Sequence, residues 1–75
     1  MKAISVKFLP PTATKPRRFK AFDMDGNSVT IKDPEFVRTP SNYHYAAESL
    51  RLKMGWSGVL IGGATKQGWV FVFAY

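Results

Sequence analysis

The stretch "GWVFVFAY", residues 68–75, alternates aromatic and small apolar side chains without a break. In an extended chain Trp69, Phe71, Phe73 and Tyr75 share one side, and Val70, Val72 and Ala74 share the other. A strand apolar on both faces belongs inside a sheet rather than at its edge. Just before it, "SGVLIG" (57–62) reads as a second apolar strand and "GATKQ" (63–67) as the connecting loop, so the chain ends in a hairpin of interior strands. One face of residues 68–75 must meet whatever layer covers the sheet.

That layer is a helix. Tyr43, Ala46, Ala47, Leu50 and Met54 follow the i, i+3, i+4, i+7, i+11 spacing of a buried helical stripe. It starts with Thr39 as cap and Pro40 at the first helical position, or one turn later with Ser41 as cap. Gly55 is placed to end it in the left-handed conformation, with Trp56 folding back over Leu52.

Upstream lie three further strands. "KAISVKFL" (2–9) sets Ile4, Val6 and Phe8 against Ala3, Ser5 and Lys7 with period two. "PPTATKP" (10–16) is an exposed loop stiffened by its prolines. "RRFKAFDM" (17–24), the turn "DGN" (25–27) and "SVTI" (28–31) form a hairpin in which Gly26 takes positive φ. The expected order is β-β-β-α-β-β: an α+β fold of two layers, a mainly antiparallel sheet with one helix on one face. Residues 1–75 are expected to be a single domain, because so short a chain buries only about 60% of its unfolded surface and has no area for a second core.

Composition narrows the function classes. With no cysteine there is no disulfide or thiolate metal site, which suits a reducing cytoplasm. The N-terminus lacks a signal-type apolar run, and the longest apolar run, Trp69 to Tyr75, is far short of a membrane span, so a cytoplasmic protein with no membrane association is expected. The net charge of +6 is unevenly placed. Residues 1–20 carry Lys2, Lys7, Lys15, Arg17, Arg18 and Lys20 with no acid, whereas five bases and five acids balance over residues 21–75. The segment "TKPRRFKAF" (14–22) thus joins the charge excess to two aromatic rings, which suggests a polyanion or an acidic partner.

If Ile4, Val6, Phe8, Phe19, Ala21, Val29 and Ile31 face the helix, alternation sends Lys7, Arg18, Lys20, Phe22, Thr30 and Lys32 to the open face. Two arrangements of the last strand then compete. With its valines inward, Trp69 and Phe71 join the open basic face as stacking platforms for bases. With its aromatics inward, they fill the core, an area that a short domain needs.

Motifs that suggest catalysis or metal binding do not hold together. "DMDGN" opens like a calcium loop, but Ser28 stands where glycine is needed and Pro34 where the closing glutamate is needed, so it reads as a polar turn. "GVLIGGATK" has the glycine spacing of a P-loop, yet Ala64 replaces the lysine and no helix follows. His44 is the only histidine, and the acids form no pair around a cleft. No enzyme activity, metal or cofactor is expected.

The landmarks "MKAISVKFLP", "FDMDGNSVTI", "KMGWSG" and "GWVFVF" resemble those of short uncharacterised proteins of bacteriophages, plasmids and bacterial genomes, over nearly the whole chain. The resemblance implies a prokaryotic or phage cytoplasmic setting and brings no catalytic residues. Three strands followed by a helix also resemble the domains that lay a sheet in the DNA major groove, such as integrase arm-binding modules, although the C-terminal hairpin departs from that pattern. The expected function is non-catalytic nucleic-acid binding to DNA or RNA, with single strands favoured over duplex. Lys15, Arg17, Arg18 and Lys20 would contact phosphates, Lys7 and Lys32 would assist, and Trp69 and Phe71 would stack bases if exposed. The alternative is a protein-interaction module or inhibitor, including a homodimer, that uses the apolar face of the last strand or adds that strand to another sheet.

Overall fold

A computed structural model describes residues 3–33 and 41–74. Five strands and one helix follow in the expected order: β1 (Ala3–Leu9), β2 (Arg18–Phe22), β3 (Ser28–Lys32), α1 (Ser41–Met54), β4 (Leu60–Thr65) and β5 (Gly68–Phe73). The strands form one antiparallel sheet in the order β3-β2-β1-β5-β4, with α1 on one face. The fold is α+β.

Each local signal has a local cause. The β2–β3 turn is closed by Asp23, whose Oδ1 accepts the backbone N–H of Asp25 and of Asn27 at 2.9 Å each, while Oδ2 accepts Asn27 Nδ2 at 2.9 Å. Gly26 has φ 88°. Both carboxylate oxygens of Asp23 thus serve the turn, as a polar hairpin requires. At the end of α1, Gly55 (φ 72°) donates its N–H to Leu52 O, and Trp56 donates to Arg51 O, the paired bonds of a Schellman ending. Arg51 fastens the same corner: Nε and Nη2 reach Glu48 Oε2 at 3.0 and 2.8 Å, and Nη1 reaches Trp56 O at 2.9 Å. The hydrogen bond that Arg51 donates to Glu48 holds the guanidinium pKa above its ordinary value, against a smaller opposing effect of desolvation.

The core lies between α1 and the sheet. Ile4, Val6, Phe19, Ala21, Ala46, Ala47, Leu50, Leu60 and Phe71 are buried. The helix brings two alanines to this layer and the sheet brings the rings, so small faces large and the backbones come close. Tyr43 meets Phe19 edge-on, with centroids 4.9 Å apart. No helix among the described residues is long and apolar enough to cross a membrane.

Four expectations need correction or limit. β4 is an edge strand, not an interior one, and only Leu60 in it is buried. Gly62 and Gly63 give it no side chains to bury, so its apolar run is weaker than it reads. It also continues to Thr65, taking in Gly63 and Ala64, because its ladder with β5 runs down to the pair Thr65 and Gly68. Trp56 packs on the core with its ring 6.2 Å from Phe73, and Leu52 is left 68% exposed rather than covered. The helix begins at Ser41, and the alternative start at Thr39 and Pro40 lies outside the described residues.

Candidate nucleic-acid interface

Strand alternation and register together decide which side chains share the face away from α1. Lys7 stands directly opposite Lys20, and Lys20 opposite Thr30. One row along, Leu9 stands opposite Arg18, and Arg18 opposite Lys32. Two like-charge pairs therefore lie in adjacent rows on three neighbouring strands. With strands spaced about 4.8 Å apart and rows roughly 6.6 Å apart, the four Cα positions fall in a patch roughly 10 by 7 Å.

No strand contains an acidic residue, so nothing within the sheet offsets this charge. Ion pairs among the described residues engage other cations, Arg17 with Asp33 at 3.3 Å and Arg51 with Glu48 at 2.8 Å, and His44 Nε2 lies 3.7 Å from Glu48 Oε1. Like charges directly opposite each other destabilise a sheet, so the arrangement costs stability in the free protein. What relieves it is one ring. Phe22, a row further along β2, has Lys7 Nζ 5.9 Å and Lys20 Nζ 5.8 Å from its centroid, both within cation–π range.

The expected phosphate-contacting residues therefore separate. Lys7, Arg18, Lys20 and Lys32 form one patch. Lys15 lies in the β1–β2 loop at the Arg18 end of that patch, in a turn closed by Thr12 N–H donating to Lys15 O at 2.9 Å and Lys15 N–H donating to Thr12 Oγ1 at 3.1 Å. Arg17 meets the patch only at its margin, where it lines a concavity with Lys32, Pro11 and Pro16. It is one residue out of phase with Arg18, paired with Asp33, and its carbonyl accepts the Asp33 N–H.

The expected stacking residues lie on the helix-facing side of β5. β5 sits between β1 and β4, with Ile4 opposite Phe71 and Val6 opposite Trp69, so the aromatic set turns toward α1 with the rest of the core. Phe71 is 3% exposed, and Trp69 is half-buried beside Tyr43 with ring centroids 6.2 Å apart. The condition on which they were to stack bases is not met by Phe71. Burying the larger rings under the helix removes more apolar area from water than burying Val70 and Val72 would. Gly62 makes the arrangement fit, because a Cβ there would stand 2.3 Å from Phe71 Cε1.

Phe22 is the aromatic residue the open face does carry, and it was not among the expected binding residues. Its parity with Lys20 is readable in "RFKAF", but its closeness to Lys7 depends on the β1–β2 register. Toward β5 and β4 the same face becomes apolar, with Val70, Val72 and Ile61. On the helix side, a concavity of about 190 Å³ is lined by Ser41, His44, Leu60, Gly62, Trp69 and Phe71, with His44 stacked on Phe71 at 5.4 Å. His44 is the ionisable side chain of that lining, and Ser41 its hydroxyl. No family model, no curated protein and no solved structure matches the chain.

Proposed function

We propose that the protein is a non-catalytic nucleic-acid-binding module whose contact surface is the open face of β1, β2 and β3. The observation that carries this reading is the pair of like-charge oppositions, Lys7 with Lys20 and Arg18 with Lys32, on a sheet that contains no acid. A cost built into the free protein is relieved when phosphates lie over it, and counterion release supplies the affinity. Lys15 extends the patch at the loop end, and Phe22 adds a ring in place of Trp69 and Phe71.

The test is fluorescence anisotropy with labelled single-stranded DNA, duplex DNA and RNA at several salt concentrations. Saturable binding should weaken with salt, log affinity against log salt having a slope of about −0.7 per phosphate contacted on a single strand or about −0.9 on a duplex. Absence of saturable binding to all three at low salt would discard the reading.

A second reading is favoured by β4. This edge strand, Leu60–Thr65, carries no charge; Ile61, opposite Val72, is 58% exposed, and Val59, just before the strand, is 54% exposed. Unprotected, uncharged edges accept another strand. The strand available for addition is β4, not β5, because both edges of β5 are already paired. Sedimentation velocity decides this reading: self-association that Ile61→Lys abolishes supports it, and a monomer at all concentrations removes the homodimer.

A further inference from the structure

Beside Phe22 the open face is concave. A cleft of about 150 Å³ is lined by Ser5, Lys7, Phe22, Thr65, Gln67 and Val70, with Val6 and Trp69 of the two central strands. It forms where β1 and β5 meet near the tight β4–β5 turn. There Gly68 has φ 152°, and a Cβ on it would come 2.2 Å from Val6 O, so the strands can approach only at a glycine. The turn is held by Gln67 N–H donating to Thr65 Oγ1 at 3.3 Å, which sets Gln67 at the rim.

We infer that this cleft is a nucleobase pocket and that the ligand of the face is single-stranded nucleic acid. The inference rests on the nucleic-acid reading above and specifies its substrate. The Phe22 ring and the Val70 methyl groups offer an apolar surface for the flat face of a base. The hydroxyls of Ser5 and Thr65 and the amide of Gln67, which has donors and an acceptor, stand where a base edge would need partners. Lys7 and Lys20 flank the ring, and each is drawn off it by a phosphate on its side of the inserted nucleotide. Arg18 and Lys32, in the next row, take the phosphate beyond. A paired base has both faces covered by its neighbours in the duplex and cannot enter such a pocket, so single strands are preferred.

The test compares a labelled thymidine oligomer of about twelve nucleotides, a length in the range one small sheet domain covers, with an abasic oligomer of equal length and with a duplex. The thymidine oligomer should bind about ten-fold or more tightly than the abasic one, the equivalent of a stacked base. Gln67→Ala should remove much of that difference while leaving abasic binding and salt dependence as they were, and Phe22→Leu should narrow the same ratio of thymidine to abasic binding. Gln67 lies in an exposed turn, so its substitution reports on the pocket even if Phe22→Leu does not fold. Equal binding of thymidine and abasic oligomers, or wild-type binding by both variants, overturns the pocket while salt-dependent phosphate binding stands. No binding to any oligomer overturns both.

Discussion

Lys7 and Lys20 face each other across β1 and β2, with their ammonium groups 5.9 and 5.8 Å from the same ring, Phe22. A sheet selected for stability alone would place an acid at one of the two positions, since opposite charges in register stabilise and like charges do the reverse. The charge relationship and the ring are therefore read together, as a surface whose interactions are completed by an anion.

Replacing Lys20 by Gln should act in opposite directions on stability and binding. Removing one member of the like-charge pair should raise stability by about 0.2–1 kcal/mol, while the salt dependence for single-stranded DNA should lose about 0.7 from its slope. Urea denaturation and anisotropy measure the two effects. A destabilised variant with unchanged affinity would contradict the assignment.

Arg17 and Arg18 are adjacent in sequence but should not behave alike. Arg18→Gln should lower the salt slope by about 0.7, as one lost phosphate contact. Arg17→Gln loses an exposed ion pair with Asp33, worth about 0–1 kcal/mol, and should leave the slope unchanged. A double substitution should therefore match Arg18→Gln alone. Loss of binding on replacing Arg17 only would reverse the assignment of faces.

Gly62 and Gly63 make a sharper contrast. A Cβ at Gly62 would meet the Phe71 ring at 2.3 Å, and one at Gly63 meets nothing within 4 Å. Gly62→Ala should cost about 1–3 kcal/mol, as overpacking does, whereas Gly63→Ala should stay within about 0.5 kcal/mol of the parent. Thermal melting monitored by circular dichroism separates them, and equal melting temperatures would mean that Phe71 does not lie over β4.

Phe71 tests which face of β5 is inside. Phe71→Ala should cost about 3–5 kcal/mol, enough to unfold much of so small a domain. Phe71→Leu should fold and bind nucleic acid as the parent does, since the ring is not on the contact face. A folded Phe71→Leu protein with weakened binding would show that the ring reaches the ligand.

What was legible in the sequence was what depends on near neighbours. Period two in "KAISVKFL" separated Lys7 from Ile4 and Val6, the stripe from Tyr43 to Met54 gave the buried face of α1, and Gly55 marked its end. Each follows from backbone geometry acting over a few residues, so each survives without knowledge of the rest of the chain. The basic face of β1, β2 and β3 was readable for the same reason, because alternation alone puts Lys7, Arg18, Lys20 and Lys32 opposite the core residues.

Tertiary structure decided everything that depends on which strand lies beside which. Local chemistry could not choose between the two apolar faces of β5. The choice came when β5 paired with both β1 and β4 under a single helix, where turning Trp69, Phe71 and Phe73 inward buried the larger area. The same pairing put β4 at the edge despite its apolar composition. Register across β1 and β2 then brought Lys7 to Phe22 and placed Gln67 nearby, a juxtaposition of residues 7, 22 and 67 that no local pattern records. The sequence by itself determined the elements and the sign of one face; long-range pairing, driven by burial over the whole domain, determined where a ligand would rest on it.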